Sequence, residues 1–328
     1  MWIAFVKIDQ GYIQQYKCRL ETALHLSITD VSYNGTRDWE SFLDCITGSN
    51  SLKELSIDNQ RSLCPNDRIY LIDAIRSLGG LEKLELVNTH FKNNRSLMKL
   101  MDTVIHIKTL QLSSIGLRKQ AANKLFKSLT ADVEFLDISN NSRLFSIRNA
   151  KSMSDAIELS SLRSLNLTNT GLSNEAFMLF RGAFKKSGIV ELHLSNNDNI
   201  DDECIIGWDT AKLKHISLSM NNLTNRSLEY LVHQDSVIEI LEFNMCGRIN
   251  MHLNLRIPFH SSIKEISLHQ TNLVASRKQT IWNEIRELHT TRVMSMIFLC
   301  SLRQDVQCDS HLQKFVKSDL LRVLNTYL

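Results

Sequence analysis

The stretch Leu162–Leu172, LRSLNLTNTGL, decides the fold. Its apolar residues stand at Leu162, Leu165, Leu167 and Leu172, with Thr170 before the last. The same shape returns at Leu81-Leu84-Leu86-Thr89-Phe91 and at Leu213-Ile216-Leu218-Asn221-Leu223. Further copies are Ile107-Leu110-Leu112-Leu117, Val133-Leu136-Ile138-Asn141, Ile189-Leu192-Leu194-Asn197, Ile238-Leu241-Phe243-Cys246 and Ile263-Ile266-Leu268-Thr271-Leu273. A weaker copy is Leu52-Leu55-Ile57, and a degenerate one is Leu24-Leu26-Thr29. Anchored on the second apolar position, they fall at 24, 55, 84, 110, 136, 165, 192, 216, 241 and 266. Successive spacings of 24 to 31 residues mark a repeat array rather than chance matches.

Two periods run inside each unit. The L-x-L alternation is a short strand that sends both leucines to one side. The Asn, Thr or Cys three residues later can hydrogen-bond backbone groups where the chain leaves the sheet. The second half of the unit has helical spacing, as in Trp39-Phe42-Leu43-Ile46, Ile69-Ile72-Ile75-Leu78, Ala122-Leu125-Phe126-Leu129 and Phe177-Phe180-Phe184. One strand and one helix cannot bury their apolar faces alone. Stacking buries them, and strands narrower than helices bend the stack into an arc.

These residues resemble the leucine-rich-repeat family, specifically its ribonuclease-inhibitor-like class of long units with helical backs. The resemblance covers residues 21–275. It implies an α/β, right-handed horseshoe solenoid of about ten repeats, with a concave parallel sheet and convex helices. Residues 1–20 are expected to cap one end. Val6 lies too close to Leu24 for a full unit, so an edge-covering strand or hairpin is expected there. Residues 276–328 are expected to form a helical cap, with helices over 276–303 and 311–328. Met251–Pro258 reads as a poor helix.

Composition agrees with this reading. Forty-seven leucines among 328 residues supply the inward-facing sets of the units, so length here grows by repeats rather than by domains. Seven scattered cysteines without a C-x-x-C pair argue for free thiols in a reducing compartment, placing the chain in the cytosol or nucleus. Met1–Val6 is apolar but lacks the basic and full-length apolar regions of a secretory signal. No run approaches the roughly 20 apolar residues of a spanning helix. A net charge of +3 implies neither nucleic acid nor an anionic membrane.

The phase of the repeat also names the residues that face away from the core. Before each anchor stand Ala23, Glu54, Lys83, Thr109, Phe135, Ser164, Glu191, His215, Ile240 and Glu265. After it stand His25, Ser56, Glu85, Gln111, Asp137, Asn166, His193, Ser217, Glu242 and Ser267. Two further rows include Asp58, Val87, Asn244, His269, Met220 and Met245. Seven acids against Lys83 alone make these rows formally −6, leaving +9 on the remainder. That segregation favours a basic partner. Phe135 and Ile240 are apolar where polar residues are expected, as an interaction hot spot would be. Glu191 and His215 share a row and should sit about 5 Å apart, beside His193. With no fourth ligand evident, they are read as an exposed acid–imidazole pair, and no residue is assigned to a metal.

The expected function is a non-catalytic scaffold that binds a protein partner through Glu54, Glu85, Phe135, Asp137, Glu191, His193, His215, Ile240, Glu242 and Glu265. G-x-S-x-G, a Gly-rich phosphate loop and H-E-x-x-H are all missing, so no enzyme activity, cofactor or small-molecule substrate is expected. Phe315–Leu328 faintly resembles the opening helix of an F-box, which would make the chain a ubiquitin-ligase substrate adaptor. A Ran-type GTPase-activating protein is a third reading. It is opposed by a C-terminal segment, 274–328, that is +3 rather than acidic.

Overall fold

Leu165 and Leu167 are buried, while Asn166 between them is half-buried and faces the other way. The same alternation runs along a parallel, 11-stranded sheet whose strands lie in sequence order. The computed structural model describes residues 2–302 apart from 9, 34–35, 60–62, 92–93, 105, 130–131, 143, 146, 211, 251, 254, 259–260 and 274. The strands are β1 (Trp2–Ile8), β2 (His25–Tyr33), β3 (Glu54–Asp58), β4 (Lys83–Val87), β5 (Thr109–Gln111), β6 (Phe135–Asp137), β7 (Ser164–Asn166), β8 (Glu191–His193), β9 (His215–Ser217), β10 (Ile240–Glu242) and β11 (Glu265–Ser267). Helices α1 (Gln10–Glu21) to α9 (Asn225–His233) follow β1 to β9 one by one, and α10 (Ala275–Leu302) follows β11. The fold is a leucine-rich-repeat solenoid.

The helical backs bury the stripes that their spacing predicts. Trp39, Phe42, Leu43 and Ile46 of α2 (Thr36–Thr47) are all buried. In α3 (Pro65–Ser77), Ile69 is exposed, and the buried face is Leu71, Ile72, Ala74 and Ile75. Phe177, Phe180 and Phe184 of α7 (Asn174–Lys186) pack with Phe145 and Trp208, their ring centroids 5.1 to 6.3 Å apart. Ser173 caps α7 by accepting a hydrogen bond from the Ala176 amide. No helix is described between β10 and β11, in keeping with the poor helical pattern of Met251–Pro258.

The turn out of the sheet is built the same way in the nine units from β3 to β11. All nine non-glycine residues of positive φ among the described residues stand four positions after an anchor: Asn59, Asn88, Ser114, Asn140, Asn169, Asn196, Met220, Met245 and Gln270, with φ of 50° to 58°. Five are Asn, the side chain that best tolerates the left-handed region. In six of these units the next position holds a buried polar residue: Thr89, Asn141, Thr170, Asn197, Asn221 and Thr271. Asn141, Asn197 and Asn221 each donate to carbonyls of their own unit and of the preceding one. Thr170 and Thr271 donate to a carbonyl within their own unit. Burial pushes the Cys204 thiol up to about 12, and raises that of Cys246 as well.

At the start of the chain β1 covers the edge of the sheet as a strand, pairing in parallel with β2, and is not part of a hairpin. What the sequence reading does not include is α1, which follows it as the back of an additional unit. Ile3 pairs with Leu26, and Leu26 with Leu55. The anchor of the degenerate copy is therefore Leu26, not Leu24. Leu26 and Ile28 are buried, Leu24 is exposed, and Ala23 lies in the core rather than on the open face. Leu24, Leu26 and Ile28 offer two overlapping L-x-L phases, and pairing with β1 and β3 selects one. At the other end Ile281 and Ile285 of α10 are buried. The helix expected over 311–328, with its F-box-like stretch, lies outside the described residues.

Candidate binding face

Corrected for that slip, one row reads His25, Glu54, Lys83, Thr109, Phe135, Ser164, Glu191, His215, Ile240, Glu265 from β2 to β11, each residue paired in register with the next. The second row reads Ser27, Ser56, Glu85, Gln111, Asp137, Asn166, His193, Ser217, Glu242, Ser267. All ten predicted binding residues lie in these two rows on the open face of the sheet.

Three of the acids have partners on the face itself. His25 Nδ1 stands 3.1 Å from Glu54 Oε2, and Lys83 Nζ 2.8 Å from Glu85 Oε1. His215 Nε2 stands 3.2 Å from Glu242 Oε1. Asp58 and Asp137 accept hydrogen bonds from the turn, from Asn88 Nδ2 and the Ser139 amide respectively. The acid field is thus narrower than the count of seven implies. It is strongest over β6 to β11, where these two rows hold Asp137, Glu191, Glu242 and Glu265 without a Lys or Arg. Phe135 is 40% exposed, and its register neighbours are the small Thr109 and Ser164. Ile240 is half-buried between His215 and Glu265.

Around β8 to β10 the histidines form a tighter cluster than the sequence suggests. The rings of His193 and His215 meet edge to face with centroids 4.8 Å apart. Glu191 is the register partner of His215, but the imidazole hydrogen-bonds Glu242, on the strand at its other side. That bond raises the pKa of His215 and, with help from Ser217, holds the Glu242 carboxyl down to about 2. Burial, then the neighbouring His215, lowers the pKa of His193.

One feature escapes the strand rows altogether. Two residues before most anchors, along one rim of the sheet, charges of opposite sign alternate from Lys53 to Arg163 and again from Lys214 to Lys264, with the uncharged Val190 between the two runs. Lys53 pairs with Glu82 at 2.9 Å, and Lys108 with Glu134 at 3.2 Å, beside Arg163 at 3.9 Å. Further along, Glu239 bridges Lys214 at 3.3 Å and Lys264. Such exposed pairs contribute little to stability individually. With five bases against three acids, the rim keeps a net positive charge beside the acidic floor. The signal was present in the sequence as alternating signs at a fixed offset from the anchors.

Neither a protein-family model nor a curated protein matches the chain. Solved structures resemble it in fold. The yeast Rad7–Elc1 complex gives 11% identity and a TM-score of 0.46, over 82% of this chain and 79% of the other. The leucine-rich-repeat protein LegL7 of Legionella pneumophila gives 16% and 0.48, over 79% and 96%. The LRIM1/APL1C complex gives 12% and 0.37, over 99% and 70%. Among the described residues no helix is long and apolar enough to cross a membrane.

Proposed function

We propose that this leucine-rich-repeat solenoid is a non-catalytic protein-interaction scaffold that takes a basic partner segment on its open sheet face. The observation that carries the reading is the acid run over β6 to β11, with Lys and Arg absent from the same two rows. A row of like charges on a rigid sheet attracts an opposite one at a distance and repels competitors. Phe135 and Ile240 supply apolar anchor points within that field, where a partner can displace water. Four described free thiols, of which Cys204 and Cys246 are buried, support a reducing compartment, the cytosol or nucleus.

The test is affinity capture with the full chain and with an Asp137→Lys/Glu191→Lys/Glu265→Lys variant, followed by mass spectrometry. Partners bound by the wild type should be lost from the variant and should elute with rising salt. Recovery of the same partners in the same yield by both proteins would overturn the reading.

A further inference from the structure

We propose that His193, His215 and Glu242 bind a single divalent transition-metal ion of zinc-like chemistry. One ligand atom from each of the three lies within 4.8 Å of the others. They come from three successive strands, β8, β9 and β10: the middle strand contributes from the row before its anchor, the outer two from the row after. All three residues stand on strands paired in register, so the site does not depend on a loop.

The donor set fits the ion. A tetrahedral zinc with bonds of about 2.0–2.1 Å holds its ligand atoms about 3.4 Å apart. His215 Nε2 and Glu242 Oε1, at 3.2 Å, already have that spacing. The His193 ring stands edge-on to the His215 ring, and its ligand nitrogen lies within 4.8 Å of the other two ligand atoms, so that edge must close by side-chain movement when the ion binds. Two imidazoles and one carboxylate suit zinc, cobalt(II) or nickel(II), whereas magnesium and calcium select all-oxygen sets.

The surroundings also orient the ligands. Glu242 receives a hydrogen bond from Ser217, which is itself buried. The Ser217 hydroxyl lies 2.7 Å from that of Ser195 on the neighbouring unit. Such supports fix a carboxylate before the metal arrives and sharpen affinity. All three ligands are half-buried on the open face, leaving the remaining coordination position to water or to a side chain brought by a partner.

The site rests on these three residues and not on the scaffold reading, and its test uses the metal alone. The full chain, purified without a histidine tag and stripped with chelator, is titrated with Zn²⁺ by calorimetry and with Co²⁺ by visible absorption. One ion per chain is expected, with a four-coordinate cobalt spectrum lacking sulfur-to-metal charge transfer. His193→Asn and His215→Asn should each weaken binding by at least about tenfold, and Glu242→Gln should weaken it too. Circular dichroism melting checks that each variant is folded, and the NMR signals of His193 and His215 should shift on zinc addition in the wild type. Absence of saturable binding, unchanged affinity in the folded histidine variants, or a cobalt–thiolate band would each overturn the proposal.

Discussion

The backbone N–H of Asn197 donates to Oδ1 of Asn221 at 2.8 Å, while the Asn221 amide donates to the Leu194 carbonyl of the preceding unit. Asn197 repeats the arrangement one unit earlier, accepting from the amides of Thr170 and Leu172 and donating to the Leu167 carbonyl. Buried side-chain amides therefore join consecutive turns where the backbone lacks partners of its own. Replacing Asn197 by Ala strands several buried groups at once and should cost about 3 kcal/mol. Asn140→Gly, at an exposed left-handed position, should change stability by no more than about 0.5 kcal/mol. Urea midpoints compare the two. An Asn197→Ala midpoint equal to wild type would remove the ladder from the account of stability.

Gly171 and Gly207 both have positive φ, 71° and 82°, but differ in space. A Cβ on Gly171 would stand 2.5 Å from the Ser142 carbonyl oxygen, whereas one on Gly207 would meet nothing within 4 Å. Gly207→Ala should cost only its backbone strain, about 1 kcal/mol. Gly171→Ala must also push apart two backbones and should be clearly worse. Thermal melts that place the two variants together would contradict this.

Met220 and Met245 occupy left-handed positions that Asn140, Asn169 and Asn196 fill in earlier units, and both side chains are exposed. Met220→Asn and Met245→Asn should each raise stability, by about 0.5–1 kcal/mol, because Asn tolerates this region better. Calorimetric melting is the measurement. A drop in melting temperature would mean the methionine side chains contribute contacts that outweigh the strain.

In chelator-treated protein the two sheet imidazoles should titrate on opposite sides of ordinary histidine. His215, held up by Glu242 with Glu191 and Glu265 also facing it, stabilises the fold below its unfolded pKa and loses that contribution as pH rises through the folded one. His193, held down by burial and by His215, costs the fold stability as pH falls from its unfolded pKa to its lower folded one, and the full cost persists below that. Glu242 contributes above its ordinary 4.5, and that contribution fades as pH falls toward about 2. Histidine NMR titration separates the imidazoles. Coincident, unshifted curves would contradict the cluster geometry.

The open-face rows were legible because a strand of period two leaves no choice once the anchor is known. Phe135, Asp137 and Glu191 stand where their offsets from 136 and 192 put them. At the degenerate first copy the same logic failed, since Leu24, Leu26 and Ile28 permit two phases and only pairing with β1 and β3 chooses. The rim pairs, such as Lys53 with Glu82, were also written in the sequence, but at an offset that strand reasoning does not visit.

The sequence by itself determined the solenoid and, from β3 to β11, which strand side chains face out, because each unit repeats one local pattern and buries its leucines only by stacking on the next. Tertiary structure alone decided which outward side chains meet. Whether His215 turns to Glu191 or to Glu242 depends on rotamers and on the strands at either side. A one-dimensional register places both acids beside it and cannot choose between them.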